Sequence, residues 1–92
     1  ARPVLAEMGG KNPTYVCASA DLDTAVAGVM RSAFGLSGQK CSAGSVAYVH
    51  TDVAEDFLSR LVEASGRVVL GDPRSREVYM GPVIDERAGR RF

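Results

Sequence analysis

Two short stretches gather the residue types that chemistry needs: Glu7-Met8-Gly9-Gly10-Lys11-Asn12-Pro13 and Gly35-Leu36-Ser37-Gly38-Gln39-Lys40-Cys41-Ser42-Ala43-Gly44. In each, glycine and polar side chains surround one potentially reactive group outside the periodic segments, where binding and catalytic residues concentrate. Cys41 follows a flexible loop and adjoins Lys40, a setting that can leave the thiol accessible and favour the nucleophilic thiolate. The ordinary alternative is a small buried hydrophobe. Glu7 precedes a Gly-Gly pair at which the backbone can bend tightly and admit a ligand, so its carboxylate could act as a general base. A solvated loop charge is the plain alternative. Gly9-Gly10-Lys11 is not a phosphate loop, because that motif needs an earlier glycine and a Ser or Thr after the lysine, where Asn12 stands. No GxGxxG dinucleotide fingerprint occurs.

The elements that must carry these stretches follow from periodicity. Thr14-Tyr15-Val16-Cys17, bounded by Pro13, predicts a buried strand that would take Cys17 into the core. From Asp21, the apolar residues Leu22, Ala25, Val26, Val29, Met30, Ala33 and Phe34 form one helical stripe, stopped by Gly35. Ser45-Val46-Ala47-Tyr48-Val49-His50 predicts a second strand, with His50 at its end. A second helix is expected with Asp52 as N-cap, Glu55 completing a capping box, and Gly66 as its end. Arg67 to Pro73 reads as a short extended piece closed by a turn, and a last helix begins near Asp85. Strands separated by helical crossovers predict an α/β layer with a parallel sheet.

Composition removes several function classes. The 92 residues are 46% hydrophobic and 24% charged, which fits one modest globular core and no more. Eleven Lys+Arg balance eleven Asp+Glu, so nothing draws the chain to nucleic acid or an anionic membrane. No apolar run approaches a membrane span, and Ala1 to Leu5 lacks the apolar region of a signal peptide. Two cysteines and one histidine cannot fill a four-ligand zinc site and are too few for a disulfide scaffold, which favours a reducing, cytoplasmic setting. The chain lacks an initiator Met and ends inside a helical pattern, Glu86 to Phe92, so an excerpt of a longer polypeptide is expected.

Together the two stretches resemble the active-site signatures of the aldehyde dehydrogenase superfamily. Glu7-Met8-Gly9-Gly10-Lys11-Asn12-Pro13 matches the glutamate signature, with Ala6 in place of its usual leucine, and Phe34-Gly35-Leu36-Ser37-Gly38-Gln39-Lys40-Cys41-Ser42-Ala43-Gly44 matches the cysteine signature. The 34 positions between Glu7 and Cys41 are also the family's. Asp21-Leu22-Asp23, Tyr48-Val49-His50, Leu70-Gly71-Asp72-Pro73 and Met80-Gly81-Pro82-Val83-Ile84 extend the likeness over essentially the whole chain. Val46 departs from it where the family commonly carries arginine, which places any ion pair of that arginine in question.

The resemblance implies a parallel-sheet βαβ portion of the catalytic domain over residues 1–92, with the cofactor-binding domain absent from it. It implies NAD or NADP as cofactor, a small-molecule aldehyde as substrate, and a homo-oligomer of the full-length parent. By the same likeness, Cys41 is the nucleophile, Glu7 activates the hydrolytic water, the Met8 backbone lies near the nicotinamide, and Ser42 lies near the polar end of the substrate. The oxyanion would be held by the Cys41 N–H and by an asparagine outside these residues. The wording around Cys41 looks most like the branch that oxidises glutamate semialdehyde, and Glu7 argues for release by water rather than by CoA. Two other readings stay open: a stand-alone cysteine hydrolase or thiol transferase with His50 as base, and a non-catalytic remnant module.

Overall fold

The computed structural model describes residues 2–91; Ala1 and Phe92, at the ends of the opening segment and of the closing helical pattern, lie outside the described residues. Strand β1, Asn12–Val16, and strand β2, Gly44–Val49, pair in parallel, with helix α1, Leu22–Phe34, in the crossover between them. Helix α2, Thr51–Gly66, follows β2 directly, and a single helical turn, α3, Glu86–Gly89, closes the chain. This is the α/β arrangement with a parallel pair that the sequence predicts.

Alternation along the strands sorts the two faces of the sheet. Val16, paired in register with Val49, points inward and is buried, whereas Tyr15 and Tyr48 stack on the outer face with ring centroids 5.2 Å apart. The core is built from Val16, Val26 and Phe57, one residue from each of β1, α1 and α2. Leu22, Ala25, Val29 and Met30 of the expected α1 stripe pack against it, as do Val53 and Leu61 of α2. Arg60 reaches from α2 to Asp23 of α1 at 2.7 Å and also binds Asp56, an exposed network that aligns the two helices.

Three local expectations are corrected. β1 starts at Asn12 and stops at Val16, so Pro13 lies inside the strand and Cys17 lies beyond it, exposed. Val16 takes the last inward position, and the chain then turns, Ala20 N–H donating to Cys17 O at 3.0 Å, to bring Asp21 to the start of α1. The N-cap of α2 is His50 rather than Asp52. β2 hands the chain over at once, because His50 N–H still pairs with Val16 O while its Nδ1 accepts from Asp52 N–H at 3.3 Å, leaving no room for a helix start two residues later. The extended piece expected over Arg67 to Pro73 reduces to a single bridge between Leu70 and Met80.

The start of the sheet carries one irregularity. Asn12 is level with Gly44, but Pro13 is level with Val46, so Ser45 is an extra residue on β2. Pro13 has no N–H to give the ladder, and a bulge at that point costs no hydrogen bond that proline could have made.

Candidate active site

The cysteine stretch begins where α1 ends. The Gly35 N–H donates back to Arg31 O, and the next three residues, Leu36, Ser37 and Gly38, adopt left-handed backbone with φ of 52°, 56° and 69°. Left-handed backbone costs a non-glycine residue roughly 1–2 kcal/mol, so two such residues in succession must be held by their surroundings. The buried Ser37 hydroxyl donates to Gly81 O at 2.8 Å. Gln39 Oε1 accepts from Ile84 N–H at 2.7 Å, and its own backbone N–H donates to Leu36 O at 3.1 Å. The family-like segment Met80 to Ile84 is thus the strap that holds the turn before Cys41. What the sequence reads as a flexible loop is tied down.

On its other side the stretch is fastened to β1 and α1. Gly44 N–H donates to Ser32 Oγ at 3.1 Å. The Asn12 carboxamide nitrogen donates to Cys41 O at 2.7 Å and to Ala43 O at 3.0 Å. Gly10 passes close by, with a position for Cβ 3.2 Å from Asn12 Oδ1 and 3.5 Å from Cys41 O. The fold therefore brings the Gly9-Gly10-Lys11-Asn12 end of the glutamate stretch directly onto the backbone of Cys41.

Cys41 itself is exposed, as are Lys40 and Ser42 beside it. Glu7 and Met8 lie on the exposed arm leading into Gly10, and Lys11 is exposed as well. Three residues span at most about 11 Å, so Glu7 is tethered near the junction by its chain alone. His50 is not brought to Cys41: β2 stands between them, with Cys41 before its first residue and His50 after its last, a strand length of about 16 Å. The His50 Nδ1 is occupied by the α2 cap. This geometry does not assemble the Cys41–His50 pair of the hydrolase reading.

Sequence reasoning missed the residues that hold the site. The sequence shows Asn12 as the residue that rules out a phosphate loop and as part of the glutamate signature, with no positioning role, and it assigns none to Ser32, Ser37 or Gln39. A signal was available for Asn12, since a carboxamide directly after Gly-Gly-Lys and before a proline is well placed to bond backbone that the strand ladder leaves unpaired.

The family model described as "Aldehyde dehydrogenase family" matches residues 1–92. The chain belongs to the aldehyde dehydrogenase family. Within this family it is similar to 1-pyrroline-5-carboxylate dehydrogenase 1 of Halalkalibacterium halodurans, at 52% identity over 85 residues, covering 92% of this chain and 16% of that protein. The fold superposes on proline utilization A from Bdellovibrio bacteriovorus with a TM-score of 0.89 and 48% identity, covering 92% of this chain and 9% of that one. It also superposes on the 1-pyrroline-5-carboxylate dehydrogenase from Thermus with bound NAD, with a TM-score of 0.84 and 37% identity, covering 91% and 16%. The chain thus spans about 16% of the length of the curated aldehyde dehydrogenases it matches.

What the residues present offer a nicotinamide cofactor is open backbone on an exposed arm. Gly9 has no heavy atom within 4 Å of its Cβ position, and Met8 beside it is exposed, so a flat ring can approach the backbone of this arm. Among the described residues no cluster of His, Cys, Asp or Glu could hold a metal ion, and no helix is long and apolar enough to cross a membrane.

Proposed function

We propose that residues 1–92 are part of the catalytic domain of an NAD(P)-dependent aldehyde dehydrogenase, with Cys41 as nucleophile and Glu7 as the base for hydrolysis. The observation that carries this reading is the junction itself: the arm bearing Glu7 ends on the carbonyl of an exposed Cys41. Names of similar proteins support a substrate of the glutamate semialdehyde type, with Ser42, next to the nucleophile, near its polar end. A homo-oligomeric, cytoplasmic enzyme is part of the same proposal and rests on the family likeness.

The Cys41 thiolate adds to the aldehyde carbon, and the carbonyl oxygen becomes an oxyanion that the Cys41 backbone N–H can hold. NAD(P)+, when bound beside Met8, supplies the hydride acceptor. Loss of hydride from the former aldehyde carbon leaves a thioester on Sγ. Glu7 then takes a proton from water, hydroxide adds to the thioester carbon, and the C–S bond breaks to give the carboxylic acid and regenerate the thiolate.

The test uses the full-length enzyme. Cys41→Ala should abolish NAD(P)H formation, whereas Glu7→Gln should still release about one equivalent of NAD(P)H per active site and then stall with an acyl group on Cys41 visible by mass spectrometry. Undiminished oxidation by Cys41→Ala would remove the proposal.

A further inference from the structure

We infer that Asn12 is a positioning residue for the nucleophile: its carboxamide clamps the backbone of Cys41 and Ala43 and so sets the direction in which Sγ leaves the chain. This rests on the reading of Cys41 as nucleophile, and goes beyond it by assigning a role to a residue that does no chemistry.

The Asn12 nitrogen has two protons, and the two carbonyls it meets, at 2.7 and 3.0 Å, come from residues on either side of Ser42. Both donors are therefore committed to backbone, which leaves Asn12 none to offer a substrate oxyanion. Fixing the Cys41 and Ala43 carbonyls fixes the peptide planes that follow Cys41 and Ala43, and the first of these restrains ψ of Cys41. The Cα–Cβ bond that carries Sγ is then held relative to β1.

The clamp has a built foundation. Asn12 is the first residue of β1, level with Gly44, and the skipped Ser45 opens the ladder beside it. Gly10 keeps the space clear, since its Cβ position lies 3.2 Å from Asn12 Oδ1. Ser32, Ser37 and Gln39 hold the same stretch from α1 and from the Met80 to Ile84 strap. Asn12 is the member of this set that touches the nucleophile's own peptide group. It also couples the glutamate arm to the cysteine stretch, so the two reacting groups share one reference frame.

In the full-length enzyme, Asn12→Asp keeps the shape and removes both donors, Asn12→Ala removes the group, and Asn12→Ser retains one donor. Asn12→Asp and Asn12→Ala should lower kcat about 10- to 100-fold with KM changed less than about 3-fold, as expected when reacting atoms are displaced but substrate still binds. Asn12→Ser should fall between them and wild type. Amide hydrogen exchange over residues 36–44 should rise about 10-fold or more while α1 and α2 keep their protection. Wild-type kcat and wild-type protection of the loop in Asn12→Asp, alongside an inactive Cys41→Ala, would overturn the clamp and leave the nucleophile in place. Exchange rising equally over α1 and α2 in all three variants would also overturn it, because Asn12 would then support the whole fold rather than one loop. An active Cys41→Ala would instead remove the nucleophile reading.

Discussion

Asn12 Nδ2 lies 2.7 Å from the carbonyl oxygen of Cys41, although 29 positions separate the two residues in the chain. With the bond to Ala43 O, this contact ties the stretches bearing the two sequence signatures together. It depends on the parallel pairing of β1 and β2, which carries the start of each strand, and the loop before it, to the same end of the sheet.

Gly10→Ala should injure the site where Gly9→Ala spares the fold. A methyl group at Gly10 meets Asn12 Oδ1 at 3.2 Å and crowds the Cys41 carbonyl, whereas at Gly9 it meets nothing. Steady-state kinetics should show a fall in kcat of about 10-fold for Gly10→Ala, a displacement effect. Gly9→Ala should leave the melting temperature unchanged and raise KM for NAD(P)+. An unaltered kcat for Gly10→Ala would contradict the close approach.

Gly38→Ala should destabilise the turn before Cys41. The backbone there is left-handed, and a Cβ would stand 2.9 Å from the carbonyl oxygen of Ala33, which belongs to α1 and cannot easily retreat. The cost should be about 1–3 kcal/mol, read as a lowered midpoint in urea unfolding. Ser37→Ala should also destabilise this turn, by removing the bond to Gly81 O that holds it, with a loss of about 1 kcal/mol.

Phe57→Ala should be the most damaging of the core truncations. Phe57 is 2% exposed and closes the cluster with Val16 and Val26. Phe-to-Ala changes at such positions cost about 3–5 kcal/mol through lost burial and the cavity left behind. Chemical denaturation checks the size, and a loss below about 1 kcal/mol would mean that Phe57 is not central to the core.

Acid should loosen the start of α1 through Asp21. Its carboxylate bonds Thr24, through the side chain and the backbone N–H, which holds its proton affinity below the ordinary carboxylate range near 3.8. Because the folded group protonates at lower pH than the unfolded one, its contribution is present above the ordinary value and lost as pH falls through the lowered one. Asp56, lowered by its bond to Arg60, acts in the same direction on α2. Asp21→Asn can still cap without titrating. Hydrogen exchange of the first turn of α1, compared between wild type and Asp21→Asn at matched pH from 5 to 2, should show the wild type losing protection relative to the variant.

Much of the frame is legible in the sequence, because helices and strands follow from local spacing. The stripe from Leu22 to Phe34 predicts α1 closely, and Gly66 marks the last residue of α2. The errors fall at boundaries, where a tertiary partner decides. Whether Cys17 belongs to β1 depends on where Val16 meets Val49, and whether Asp52 or His50 caps α2 depends on a bond from His50 N–H to Val16 O across the sheet.

The residue types alone determined the family likeness and the α/β order, because motifs and periodicity are written in neighbouring positions, whereas the exposure of Cys41 was left open. Only the tertiary structure decided that Asn12 holds Cys41, that Met80 to Ile84 strap the left-handed turn, and that His50 lies at the far end of β2. Those relations link positions about 10 to 45 apart, and they exist only once strand register and the crossover helix have brought the chain back on itself.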